Sequence, residues 1–288
     1  MSSTLQSIDL RRARTPLARA SPLIVAATDF TPAALAAARR AAELARAAGA
    51  RLALFHAGHE RVRERLRLSA ARLGASYGLP VETRLASGPA PAAIAAYAST
   101  VRADLVVVGN PPAGFLADLL ALNTAGRVRR RSATPVLAVS RVSSHPYGRV
   151  LLAADLSPRA AHAGRIARRL FPDAEMHVLH VSEPLYEGSL HFAGVDRGLI
   201  EGYRRQTLLL AQRRLDEFVR RSLPGGGVRA AVRLGPPAVR IREHAREIGA
   251  DVVALFPGRS WLARALAGSV TEQVLADPPC DVLLAGTV

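Results

Sequence analysis

The stretch L-I-V-A-A-T-D-F-T-P, residues 23–32, decides how this chain is read, because A-D-L-S-P at residues 154–158 repeats its last five residues. In each copy a short apolar run ends at an acid, Asp29 or Asp155. A hydroxyl residue followed by proline comes next, Thr31-Pro32 or Ser157-Pro158, which signals a helix cap and its first turn. Working outward, Ala33 to Ala48 reads as an Ala-rich helix closed by Gly49. Arg51 to His56 reads as a strand, Glu60 to Tyr77 as a charged helix and Val81 to Leu85 as a strand. Pro91 to Val101 is helical, Asp104 to Val108 a strand, Leu116 to Arg131 a helix and Pro135 to Ser140 a fifth strand. Strands alternating with helices predict a parallel sheet covered by helices on both faces.

The pattern then restarts. Arg141 to Arg149, with Ser143, Ser144, Pro146 and Gly148, has linker composition. The domains are read as residues 21–141 and 149–288, joined by 142–148 and preceded by a loosely held basic arm, 1–20. Spacing supports an internal repeat. Gly88 precedes A-D-L-V-V-V by fifteen residues, and Gly235 precedes A-D-V-V-A-L by the same fifteen. P-V-L-A-V and D-V-L-L-A close the two halves, giving two copies of one α/β unit of ordinary domain size.

Composition narrows the function. The chain has 288 residues, 49% of them hydrophobic but only 5% aromatic, so its core is expected to be Ala, Val and Leu. No apolar run reaches the ~18 residues of a membrane span. The first twenty residues do not read as a secretory signal, and Cys280, the single cysteine, cannot form an intramolecular disulfide. A cytoplasmic protein is therefore expected. The net charge is +16 and every basic residue is Arg, with Arg127, Arg129, Arg130 and Arg131 the densest cluster. Such a surface attracts polyanions, but no aromatic interleaving or reading helix accompanies it, which argues against sequence-specific DNA binding.

At these motifs the chain resembles the universal stress protein family in its tandem, two-domain form. The likeness rests on T-D-F at 28–30 and A-D-L at 154–156, F-H-A at 55–57 and L-H-V at 179–181, Gly88 and Gly235, and the glycine loop F-P-G-R-S-W-L-A-R-A-L-A-G-S-V at 256–270. It implies two Rossmann-like domains of the adenine nucleotide alpha hydrolase type, each a mostly parallel five-stranded sheet flanked by helices. It also implies ATP binding where the loop is preserved, a regulatory or stress-protective role, and pairing of the two halves as an internal pseudo-dimer through their last apolar strands, Pro135–Val139 and Asp281–Ala285, with a higher oligomer left open.

The two loops differ. In the first half Gly109 holds the opening glycine, but Pro112 stands where the second belongs, and Leu122, Asn123 and Thr124 replace Gly-Ser-Val. Proline has no N–H to offer a phosphate. In the second half Gly258, Gly268, Ser269 and Val270 fit, although Leu255 stands three residues before Gly258, where the first glycine is expected. ATP is accordingly expected in the second half only, with backbone N–H groups at the helix start meeting phosphate.

Each candidate has two readings. Asp155 would accept hydrogen bonds from ribose or belong to a helix cap with Ser157, and Asp29 has the same pair, its poorer loop favouring the cap. Ser269 would bind phosphate or cap a helix; Arg259 would neutralise phosphate or be solvated. Trp261 would cover a nucleotide, fill an empty site or touch the other half. His56 and His180 occupy matching places without metal-ligand spacing, and His59 adds an H-x2-H pair in the first half alone. Cys280 reads as a core thiol. No acid/base pair or nucleophile motif stands out, so a non-enzyme is expected. A nucleotide-free interaction protein is the alternative, and a slow ATPase ranks third. The basic excess predicts weak polyanion binding that falls steeply as salt rises and has no sequence preference. Titration with two unrelated DNA duplexes at two salt concentrations checks it, and a salt-independent affinity would contradict it.

Overall fold

The computed structural model describes residues 21–109, 134–140, 145–183, 196–256 and 270–286. Chain order gives β1 (Leu23–Ala27), α1 (Pro32–Ala48), β2 (Arg51–Ala57), α2 (Arg63–Tyr77), β3 (Val81–Ala86), α3 (Ala90–Thr100), β4 (Leu105–Gly109) and β5 (Val136–Val139). The second half gives β6 (Arg149–Ala153), α4 (Pro158–Leu170), β7 (Glu175–Ser182), α5 (Arg197–Ser222), β8 (Val228–Leu234), α6 (Pro237–Glu247), β9 (Val252–Leu255), α7 (Val270–Ala276) and β10 (Asp281–Leu284). The helix expected over Leu116 to Arg131 lies outside the described residues.

Local chemistry explains the boundaries. Thr31 caps α1 and Ser157 caps α4, each side-chain oxygen accepting the N–H three residues on, with proline in the first turn. Gly49 and Gly78 close α1 and α2 in the left-handed conformation. Gly88 and Gly235 hold φ of 102° and 122°, which explains glycine at both repeat positions. The predicted helix from Glu60 is split: Glu60–Val62 is a 3₁₀ turn, and α2 begins at Arg63. His59 supplies no side-chain cap there, so the first turn tightens to i→i+3 bonding.

The predicted pair of five-stranded sheets is one sheet of ten strands, ordered β3-β2-β1-β4-β5-β10-β9-β6-β7-β8. Every neighbouring pair is parallel except β5 and β10, which run antiparallel with Leu137 opposite Leu283. Each half thus contributes five strands, and the halves meet at their last ones. Alternation along the strands divides the core between two faces. Ile24, Ala26, Leu105 and Val107 pack with the buried alanines of α1, while Val25, Ala27, Val106 and Val108 pack with Ile94 and Ala98 of α3. Both clusters continue across the junction into the second half. Alanine on the inner side of α1 lets that helix lie close to the sheet, which is how a core poor in aromatics closes.

The matching A-D dipeptides have one structural task. Asp104 accepts the N–H of Leu23 at 3.0 Å, and Asp251 accepts those of Gly148 and Arg149 at 2.7 and 2.8 Å, so each carboxylate holds the entry to its half's first strand. Asp281 does something the first half lacks. Buried at the start of β10, it accepts the Ser140 N–H at 2.8 Å and the Tyr147 hydroxyl at 2.6 Å. Tyr147 also meets Phe171 edge-on and lies under the Arg40 guanidinium. The chain leaving β5 and the chain entering β6 are therefore fastened to one carboxylate.

Burial, then the Asp281 charge, push the Tyr147 hydroxyl well above the ordinary tyrosine range. Folding thus favours the neutral phenol. This contribution is whole below the unfolded value of about 10 and is lost as pH rises towards the folded one. Asp281→Ala is expected to lower the unfolding free energy by about 1–3 kcal/mol, because two part-buried donors lose their acceptor. Urea denaturation at neutral pH measures it, and a loss below ~0.5 kcal/mol, the scale of an ordinary surface change, would contradict the role.

Candidate functional site

Beside β1 the sheet order changes direction: β2 and β3 lie to one side, β4 and β5 to the other. Open α/β sheets take ligands in the crevice outside the carboxyl ends of the strands at such a point. In the first half this crevice is a cavity of about 210 Å³ whose walls include Thr28, Asp29, Phe55, His56, Ile94 and Gly109. Its floor is apolar, since Phe55 and Ile94 belong to the core, and Asp29 stands exposed at the mouth.

The turn at the mouth is built by T-D-F-T-P. The Asp29 carboxylate accepts the Thr31 N–H at 2.9 Å and the Thr31 hydroxyl at 2.6 Å, while Thr31 caps α1. The Phe30 N–H donates to Thr28 Oγ1, and Phe30 takes a left-handed φ of 65°. Partial burial raises the Asp29 carboxyl, but its hydrogen bonds from Thr31 and the nearby His56 outweigh this and hold it below the usual carboxylate range. Its stabilising effect is therefore present above the ordinary value of about 3.9 and is lost as pH falls through the lower folded value.

His56 lies 2.7 Å, by Nδ1, from the Thr28 carbonyl oxygen. A carbonyl only accepts, so Nδ1 carries a proton; in the neutral ring Nε2 is then the acceptor, and in the charged ring it is a second donor. The ring faces Phe30 at 4.8 Å. Gly109 is required by space: a Cβ there would lie 2.5 Å from the Ala33 carbonyl carbon and 2.7 Å from the Ala34 nitrogen, so the end of β4 touches the start of α1.

The second half repeats the frame with one change. Asp155 accepts the Ser157 N–H at 3.0 Å, His180 Nδ1 meets the Ala154 carbonyl at 2.8 Å, and Leu156 has a left-handed φ of 62°. Asp155 is exposed, and the cap of α4 is Ser157 itself, with Asp155 bracing it from two residues before. Sheet register corrects the loop comparison. Ile24 pairs with Leu105 and Val150 with Val252, so the residue matching Gly109 is Phe256, not Leu255. A ring occupies the position that glycine keeps small in the first half, and the Arg159 guanidinium lies 5.6 Å from its centre. Counting forward from the A-D dipeptide, rather than back from Gly258, exposes Phe256 in the sequence.

Gly258, Arg259, Gly268, Ser269 and Trp261 lie outside the described residues, as do Pro112, Leu122, Asn123 and the Arg127–Arg131 cluster. Val270 opens α7 and packs partly buried against the core. Cys280 is buried, as a core thiol should be. Among the described residues no group of His, Cys, Asp and Glu could hold a metal ion. Thr28 and Phe55 reach the crevice from the T-D-F and F-H-A motifs, whereas Ile94 belongs to no motif and only the fold brings it there.

Two doubly wound α/β units, the first with a crevice at its switch point, define a tandem Rossmann-like protein. The chain belongs to the universal stress protein family, whose profile matches residues 23–140 and 146–286. A universal stress protein of Archaeoglobus fulgidus has a similar crystal structure, with a TM-score of 0.62, 17% identity, and coverage of 92% of this chain and 98% of that one. A putative universal stress protein from Pseudomonas aeruginosa UCBPP-PA14 gives a TM-score of 0.57 at 22% identity, over 92% and 93%. A universal stress protein of Methanothermobacter thermautotrophicus is 38% identical over 65 residues. That match spans 23% of this chain and 44% of the relative, under half its length. No described helix is long and apolar enough to cross a membrane.

Gly109→Ala is expected to destabilise the fold by about 1–3 kcal/mol, since the added methyl meets backbone that cannot yield cheaply. Thermal denaturation measures it, and an unchanged melting temperature would show that β4 and α1 do not touch as described.

Proposed function

We propose that this protein is a nucleotide-responsive regulatory protein acting in the cytoplasm under stress, and that it works by binding rather than catalysis. The observation that carries the reading is the cavity at the first half's switch point. Its volume of about 210 Å³ lies below the ~300–1,000 Å³ of sites that enclose a whole ligand. It suits a flat heterocycle on the apolar floor of Phe55 and Ile94, with the sugar and phosphates outside. Asp29 at the mouth would accept hydrogen bonds from ribose hydroxyls, and Nε2 of the neutral His56 ring offers a further acceptor. Adenine nucleotides, ATP among them, have this shape and polarity.

A second reading places ATP in the second half. It is supported by Gly258, Gly268, Ser269 and the N–H of Val270 at a helix start, by Arg259 as a counter-charge, and by the exposed carboxylate of Asp155. Phe256 weighs against it, because a side chain stands where the first half has none.

Calorimetric titration with ATP separates the readings. Ala57 lines the first crevice and is partly exposed, so Ala57→Phe fills the cavity from its rim. Ala57→Phe is expected to weaken ATP binding by about tenfold or more, roughly 1.4 kcal/mol, while Gly268→Val leaves it unchanged. The reverse pattern would move the site to the second half. If the parent protein binds no nucleotide, the protein is an interaction module whose two crevices are degenerate.

A further inference from the structure

Between α4 and α5 the second half has a cleft of about 540 Å³ that is separate from the switch point. Arg165 of α4 and Arg214 and Arg221 of α5 line it, against a single carboxylate, Glu217. Its floor is apolar: Leu156, Pro158 and Ala161 on one side, Phe218 on the other. Ser157 and Ser222 also line it, and the Ser157 oxygen, which accepts the Ala160 N–H, still has its own hydrogen to donate.

The cations of this cleft are incompletely neutralised. Elsewhere on the surface Arg51, Arg63, Arg84, Arg233 and Arg240 each pair with a carboxylate. Here Glu217 pairs with Arg221 at 2.6 Å, and Arg165 and Arg214 make no hydrogen bond or ion pair with any described residue. Two exposed guanidinium groups from different helices thus face one concavity unopposed. Close by, partial burial and then the charges of Arg165 and Arg169 hold the His162 imidazole below its ordinary value.

The repeat shows that the cleft is a feature of the second half. Four residues beyond the capping hydroxyl, the first half has Leu35, 41% exposed, where the second has buried Ala161. In the first half Arg65 of α2 lies over the Phe30 ring at 4.3 Å and covers that corner. Leu156 stands in place of Phe30 and offers no ring to hold such a cation. A smaller side chain and a missing cover open the same corner of the frame.

We propose that this cleft is a second ligand site, taking a small organic phosphate whose apolar body lies on Leu156, Ala161 and Phe218 and whose phosphate is held by Arg165 and Arg214. Guanidinium groups match phosphate oxygens with paired N–H donors, and an apolar floor beneath them selects an ester over the free ion. Glu217 keeps Arg221 out of the pair and repels ligands that carry a second anionic group at that end.

Phenyl phosphate serves as the probe, followed by amide chemical shifts of the full-length protein at low salt. Saturable shifts are expected at 156–165 and 214–222, with inorganic phosphate binding more weakly at the same amides. Arg165→Ala with Arg214→Ala should weaken phenyl phosphate binding by about tenfold or more, since charge-assisted pairs to phosphate are lost. Arg84→Ala with Arg229→Ala, which removes two paired cations from the edge strands, should leave it unchanged. Equal weakening by both double variants would reduce the effect to overall charge and overturn the proposal. Shifts centred elsewhere, or none that saturate, would overturn it as well. Neither substitution touches the first-half crevice, so this outcome is independent of the ATP titration.

Discussion

The antiparallel pairing of β5 with β10 is the constraint on which the rest depends. Left alone, each half would end its sheet in an apolar strand with a row of unpaired backbone groups, a template for aggregation. Pairing Leu137 with Leu283 places equivalent residues of the two repeats opposite each other and removes both edges at once. The reversal also sets the path of the chain. Because β5 runs against β10, it leaves the sheet at the end where β10 and β6 begin, so Ser140 and Arg149 need only a short connection. Asp281 stands at that point and accepts a hydrogen bond from the chain on each side of it. The edges that remain, β3 and β8, carry charged residues such as Glu82, Arg84, Arg229 and Arg233, which discourage further pairing.

Within this frame the two copies share their structural devices and differ at their surfaces. The carboxylates of Asp104 and Asp251, the imidazoles of His56 and His180, and the caps of Thr31 and Ser157 make matching hydrogen bonds in both halves. Phe30 and Leu156 even share the same unfavourable left-handed conformation. Such strain, of order 1–3 kcal/mol, persists only where its surroundings impose it. They diverge at two open corners, Gly109 against Phe256 at the switch point and Leu35 against Ala161 between the helices, and at the buried start of the last strand, where Asp281 takes the place of the first half's Pro135. One duplicated unit thereby presents two different concave surfaces.

Most of the fold was legible in the sequence because its signals are local. Thr31-Pro32 and Gly49 delimit α1 within one residue of the reading, and the repeat of A-D, Gly and Asp motifs predicted the second half from the first. The join of the halves through their last apolar strands follows from the family resemblance and is what the sheet shows, whereas its antiparallel register, between residues ~145 apart, has no local signal in the sequence. The site was legible in part. Asp29 and Asp155 stand at strand ends as expected, but their first duty is to brace the cap, which their spacing to Thr31 and Ser157 already implied. Phe256 escaped because the glycine pattern was counted from the wrong end, and the cleft beside Arg214 escaped because its residues come from two helices with no motif between them. The loop glycines Gly258 and Gly268 rest on sequence alone.

Amide hydrogen exchange at β5 and β10 tests the central claim, that the two halves form one sheet through these strands. Amides paired across a permanent interior junction open only with the whole molecule. The account predicts that the paired amides of Leu137, Leu283 and their neighbours exchange as slowly as those of β1 and β6. Exchange as fast as at the edge strands β3 and β8 would mean that the halves part readily, and would contradict a single ten-stranded sheet.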